Sequence, residues 1–487
     1  MNNEEVNRRS MNILIRNGRI INGDKSFDAD IRVQNGIITE VGVGLEPKDN
    51  NTAIIDASRC YVLPGGIDPH VHMELPIAGG LFSSDTFETG TRAAVAGGTT
   101  TIIDFVTPQR NQSLFQAFQL RKEIASGSLC DFGLHMSVTG WNEQIPSELA
   151  QSCDSDGISS VKLYMAYKES IGLNDDIILD VMEAAAELDM LVMVHCEDGE
   201  TIRGLQKKFI SRGNFQPRFH PLSRPPETEA EAVKRAVLMA EAAGCRLYIV
   251  HVSAAPSIAE IRSAQQRGLP VFAETCPHYL LLDDREYSRP DFSAASYVLS
   301  PPLREKHHQE VLWQAIIDNT IRVVSTDHCP FNLEGQKDRG KNDFTLIPNG
   351  AGSVEHRLML LYRYGVLAGK ISHTQWVNLV STQPAKLFGL FPRKGIIAEG
   401  SDADIVVWDP GTQDTISAGN QFQNCDNTIY EGFPVTGKPH TVICRGIISY
   451  TQPHSFIHKA PGHYLHRFTP NSSEILKTTN NRAAQND

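Results

Sequence analysis

Short, near-continuous apolar runs alternate with amphipathic stretches through the middle of the chain. Residues 67–72, 100–104, 132–138 and 161–165 read as strands, as do 191–195, 247–252, 271–275 and 323–327. A helical period between them predicts helices over 179–188, 229–243 and 257–267. Strands apolar on both faces belong in a parallel sheet covered by helices. Eight of them alternating with helices is the number that closes a (β/α)8 TIM-type barrel. A doubly wound open sheet is the competing architecture.

The two ends have a different texture. Ile13-Leu14-Ile15 runs into Asn17-Gly18, and Asp30-Ile31-Arg32-Val33 runs into Asn35-Gly36 and then Ile37-Ile38. Asn-Gly between β-branched runs predicts type I′ hairpin turns, which need positive φ at both central residues. The texture returns in Ile405-Val406-Val407-Trp408 and Thr441-Val442-Ile443-Cys444. The organisation predicted is a small β-sandwich domain built from 11–63 and 396–455 around a barrel of 64–395. The first ten polar residues read as a flexible leader. Residues 456–487, rich in Asn, Ser and Thr beyond Pro470, read as a partly mobile C-terminal tail.

Composition narrows the function. The 487 residues are 41% apolar and 21% charged, with 45 Lys and Arg against 57 Asp and Glu, a net charge of −12. An acidic chain without a basic block argues against nucleic acid or an anionic membrane as partner. No run approaches the ~20 apolar residues of a membrane span, and the start carries acids where a secretory signal needs an apolar stretch. The nine cysteines are scattered, without C-x-x-C. They read as reduced thiols of a cytoplasmic protein.

The polar residues inside these strands carry the chemistry. His70 and His72 end the first run, and the two-residue period of a strand turns both imidazoles to one face. Lys162 sits inside the fourth, between Val161 and Leu163. His195 ends the fifth, His251 lies near the end of the sixth, and Asp327 ends the eighth. A lone histidine at a strand end is usually a hydrogen-bonded core residue. In a barrel, however, strand C-termini surround one mouth, so four histidines and an aspartate would converge as a nitrogen- and oxygen-donor metal site. Lys162 is the odd member, because an ammonium there is both buried and repelled by cations. Either it faces outward or it is converted chemically to an anion.

These segments resemble the dihydropyrimidinase/D-hydantoinase family of cyclic amidohydrolases. The likeness rests on Gly65-Gly66-Ile67-Asp68-Pro69-His70-Val71-His72, Val161-Lys162-Leu163-Tyr164-Met165-Ala166-Tyr167-Lys168 and Val194-His195-Cys196-Glu197. Ser223-Arg224-Pro225-Pro226-Glu227, Ser300-Pro301-Pro302-Leu303-Arg304, Ser325-Thr326-Asp327-His328 and Ile347-Pro348-Asn349-Gly350 extend it in order. The resemblance implies two divalent metal ions, zinc, bridged by an N-carboxylated Lys162 and by a hydroxide. It puts His70, His72 and Asp327 on one ion and His195 and His251 on the other. Asp327 is then general base and acid, Tyr167 stabilises the oxyanion, and Ser300 and Asn349 read the ureide edge of the substrate.

The implied reaction opens a hydantoin or a dihydropyrimidine, both cyclic ureides, to an N-carbamoyl amino acid, in a homotetramer. The stretch 73–82 is apolar apart from Glu74 and offers no arginine, so aryl or alkyl ring substituents are expected over acidic ones. Allantoinase and dihydroorotase are alternatives, and a non-catalytic scaffold relative is the reading from another class. Val71 stands where relatives commonly carry Thr. Ser417–Phe422 and Asp426-Asn427-Thr428 also depart from the family pattern, at sites expected to lie in the β domain away from the mouth.

Overall fold

The computed structural model describes residues 12–77, 79–453, 455–456 and 461–469. The expected leader and the end of the expected tail lie outside the described residues. Eight parallel strands follow the chain in order: Gly66–Asp68, Thr99–Val106, Asp131–Ser137, Ser160–Tyr164, Leu191–His195, Arg246–Ile249, Val271–Thr275 and Val323–Val324. The circle closes between first and last. His72 N donates to His328 O at 2.8 Å, and Arg357 Nη1 spans Ile67 O at 2.8 Å and Val324 O at 3.1 Å. The architecture is the (β/α)8 barrel, and the open sheet is excluded.

Alternation along the strands sorts side chains between two cores. Leu191 and Met193 point inward with Ile67, Phe105, Tyr248 and Phe272. Val192 and Val194 point outward, packing with Ile178, Val181, Val233 and Ala236 of the helices Asp175–Glu187 and Pro226–Ala243. The latter helix starts on a proline and stops at Gly244, whose φ of 69° ends it in the left-handed conformation. Phe388, Leu390 and Leu465 fill the barrel's lower interior. Of the expected tail, 461–469 lies against this base as a strap. Buried Arg467 donates there to Leu134 O and, at 3.1 and 3.2 Å, to the hydroxyls of Ser159 and Ser160.

Both chain ends build the second, β-sandwich domain from one nine-stranded mixed sheet. Tyr61–Pro64 pairs parallel with Ile13–Ile21 and antiparallel with Ile405–Thr415, which joins the two ends. Asn35 and Gly36 form the predicted turn, with φ of 52° and 80°. Asn17-Gly18 does not: it lies inside the strand Ile13–Ile21, as a bulge where the register with Ser26–Gln34 shifts. The glycine is needed for contact rather than for a hairpin, because a Cβ on Gly18 would stand 2.4 Å from Val62 Cγ2. The chain reverses instead at Asn22–Lys25.

A buried ion cluster joins the two domains. Lys394 Nζ lies 2.8 Å from Asp131 at the foot of the third barrel strand and 3.3 Å from Asp402, and it pairs also with Asp404. These three carboxylates are close enough to suggest a cation site, and the ammonium already supplies the cation. Among the described residues no helix is long and apolar enough to cross a membrane.

Candidate metal centre

The upper ends of the strands open into a cavity of about 760 Å³. His70, His72, Lys162, Tyr167, His195, His251, Ser300, Asp327 and Asn349 all line it. Several leave the regular ladder to do so. The first strand stops at Asp68 and the eighth at Val324, so His70, His72 and Asp327 sit on the turns that follow. His251, Asp327 and Tyr167 have φ of 40°, 50° and 60°. That left-handed backbone is costly for such side chains, and strain of this kind is tolerated at functional sites.

The donor atoms fall into two groups. His70 Nε2 and His72 Nε2 lie 3.2 and 3.1 Å from Asp327 Oδ1. His195 Nδ1 lies 2.9 Å from His251 Nε2. Donors bound to one tetrahedral ion at about 2.0–2.1 Å stand roughly 3.3 Å apart, so both groups have the spacing of shared ligation. Lys162 lines the same cavity.

Neighbouring groups fix which nitrogen faces the cavity. His70 Nδ1 is 2.5 Å from Glu274 Oε1, and His195 Nε2 is 2.9 Å from Glu197 Oε2. With those nitrogens donating to carboxylates, the opposite ones present lone pairs, as metal-binding histidines commonly do. Burial holds the imidazoles of His70 and His251 well below their usual pKa, in the neutral form that ligates. Burial works to raise the Asp327 carboxyl, but the surrounding histidines outweigh it and hold it ionised. Burial, opposed by Asp327 and Glu274, lowers the Lys162 ammonium to about 8. The mixed His, Asp and Lys set therefore fits a pair of divalent cations, provided the lysine becomes an anion.

The amidohydrolase family profile matches residues 61–448, most of the chain. The chain belongs to the amidohydrolase family. It is 44% identical to the D-hydantoinase of Geobacillus stearothermophilus over 90% of this chain and 92% of that one. With the dihydropyrimidinase of Dictyostelium discoideum it shares 38% over 93% and 90%. The crystal structure of dihydropyrimidinase from Brevibacillus agri NCHU1002 superposes with a TM-score of 0.93 at 42% identity, covering 95% of this chain and all of that one.

In this amidohydrolase, three supporting residues were not read from the sequence. Glu274 sits mid-strand in Val271–Thr275 and also accepts from Tyr248 Oη at 2.8 Å. A carboxylate inside an apolar strand is the same signal that exposed Lys162. Glu197 follows His195 by two residues, on the same face. Arg224 pairs with Glu197, and its guanidinium carbon lies 5.7 Å from the centre of the Tyr167 ring. Burial works to raise Glu197, but Arg224, His195 and Arg304 together outweigh it and keep the carboxylate strongly ionised.

Two features of the cavity's surroundings bear on the sequence reading. Asp426 and its neighbours pack on the segment that follows the eighth strand, and neither they nor their partners there line the cavity. Asp426 accepts from Leu333 N at 2.7 Å and Glu334 N at 3.1 Å, and Asn427 Nδ2 donates to Phe331 O. The ring-substituent wall is also not free of arginine. Arg339, from a turn far along the chain, reaches the cavity beside the loop 73–82.

Proposed function

We propose that this protein is a zinc-dependent cyclic amide hydrolase that opens 5-substituted hydantoins or 5,6-dihydropyrimidines to N-carbamoyl amino acids. The observation that supports this most is the meeting of His70, His72, Lys162, His195, His251 and Asp327 on one cavity. In this reading His70, His72 and Asp327 hold one ion, and His195 and His251 hold the other. Lys162, carboxylated on Nζ by carbon dioxide, holds both. Burial favours the neutral amine of Lys162, which is the form that adds to carbon dioxide. When bound, the ions activate a water molecule as nucleophile and polarise the carbonyl under attack.

Asp327 takes a proton from that water and delivers it to the ring nitrogen as the C–N bond breaks. Water is thereby added across the amide, hydroxyl to carbon and hydrogen to nitrogen. Tyr167 donates its phenolic hydrogen to the oxygen on which charge develops. Burial raises that phenol's pKa, so it stays protonated and able to donate. Ser300 and Asn349 hold the –NH–CO–NH– edge from the facing wall. The same proposal carries a homotetrameric enzyme working in the cytoplasm on a small molecule.

The test is to incubate zinc-loaded protein separately with dihydrouracil and 5-phenylhydantoin and to assay for N-carbamoyl product. Product from either supports the proposal, and the ratio of rates assigns the ring preference. No product from either, with zinc shown to be bound, overturns it in favour of an allantoinase- or dihydroorotase-type substrate. No product and no bound zinc overturns it in favour of a scaffold.

A further inference from the structure

The cavity's upper wall is apolar, formed by Leu75, Ile77, Leu81 and Leu346 among others, with one guanidinium set into it. That group is Arg339, on the turn Lys337–Gly340. It faces Gly79 at the tip of the hairpin Pro76–Ile77/Leu81–Phe82, where a Cβ would stand 3.3 Å from Arg339 Nη1. Gly79 itself has a φ of 79°, so the tip approaches the arginine with bare backbone.

The turn carrying Arg339 is firmly held. Buried Lys337 donates to Val298 O at 2.9 Å and Pro348 O at 3.0 Å, and Gln336 Nε2 donates to Phe82 O at 2.8 Å. The arginine side chain itself is exposed, and among the described residues it has no carboxylate partner and no hydrogen-bond acceptor. A surface arginine of this kind is ordinarily just solvated. Here it lines the substrate cavity, and its five donors form a planar fork matched to a carboxylate. A hydrocarbon substituent would use none of them.

We infer that Arg339 is a specificity-determining residue that selects cyclic ureides whose ring substituent ends in a carboxylate. This rests on the proposed function and deepens it. Hydrolysis of such a ring adds water across the amide bond and releases an N-carbamoyl amino dicarboxylic acid, with the substituent carboxylate unchanged. This inference runs against the expectation of aryl or alkyl substituents, which was drawn from the loop 73–82 alone.

The test uses two probes of equal shape and different charge, 5-(carboxymethyl)hydantoin and 5-(carbamoylmethyl)hydantoin, with the zinc-loaded full chain. The native enzyme is expected to prefer the carboxylate in kcat/KM by about tenfold or more, the scale of a charge-assisted hydrogen bond. Arg339→Leu should bring the ratio to about one, and Arg339→Lys should leave it in between. Calorimetry should show the same order in binding of N-carbamoyl-aspartate against N-carbamoyl-asparagine. A native ratio near one with both rings opened overturns the assignment and leaves the proposed function standing. A preference that survives in Arg339→Leu also overturns it. If neither ring is opened with zinc bound, the reading beneath it fails as well.

Discussion

His70 Nδ1 and Glu274 Oε1 stand 2.5 Å apart in the barrel interior, and neither side chain has appreciable exposure. The carboxylate thereby directs the other imidazole nitrogen at Asp327. Glu274→Gln keeps the shape but removes the charge that fixes this tautomer. It is expected to weaken zinc binding by about 10- to 100-fold, with activity recovered at high zinc concentration. Competition with a chelator of known affinity measures this, and unchanged affinity would remove Glu274 from the site.

Lys162→Ala removes the proposed bridging anion. Most bound metal and activity should disappear, and a short carboxylate such as acetate or propionate should restore part of both by entering the vacated space. Metal content by elemental analysis, with and without the additive, decides it. A mutant that keeps two ions and full rate would refute the carbamate.

Lys394 bridges Asp131, Asp402 and Asp404 between the two domains, with Arg445 also on Asp131 and Arg393 also on Asp402. Lys394→Met preserves much of the volume and leaves buried Asp404 without a cation beside Asp131 and Asp402, which keep Arg445 and Arg393. The expected loss is about 3–5 kcal/mol, typical of breaking a buried pair from one side. Denaturant titration reads it as a lowered midpoint, and an unchanged midpoint would mean that the acids have protonated or found water.

Glu355 is buried where its Oε2 accepts from Phe422 N at 2.7 Å and Gln423 N at 3.3 Å. Burial pushes its carboxyl up to about 8; Asp85 adds to this, while the two backbone donors and Lys438 oppose it. A folded-state pKa above the unfolded value favours the protonated native form. Its contribution is therefore full below the unfolded pKa of about 4.5, and it is lost as pH rises toward and through 8, at up to about 1.4 kcal/mol per pH unit. Glu355→Gln should flatten stability over that window relative to the native chain. Equal slopes in both proteins would contradict the shift.

The strand pattern exposed the barrel because parallel strands buried on both faces leave little alternative to an apolar run. It overran where function begins: residues 67–72 and 323–327 were read as strand to their ends, yet the ladder stops at Asp68 and Val324. The ligands need to turn inward at angles no regular strand provides, and a left-handed φ at Asp327 leaves no mark in hydrophobicity. Asn17-Gly18 shows the converse, since a turn-forming pair was recruited to let Val62 approach. The six ligand candidates were legible because each sat in or beside a strand. Arg339 and Lys394 were not, because what each one faces is supplied by segments distant in sequence. No local pattern encodes that.

The composite sheet and the strap at the barrel base also set an order of assembly. Tyr61–Pro64 is made early, yet its partner Ile405–Thr415 and the plug from Leu465 to Arg467 come from the far end of the chain. During synthesis the early strands wait with an unpaired edge, which is the kind of surface that recruits neighbouring chains. The barrel likewise waits for its lower seal. A chain ending before Arg467 therefore lacks the barrel's lower seal, and one ending before Ile405 lacks the closing strands of the composite sheet as well.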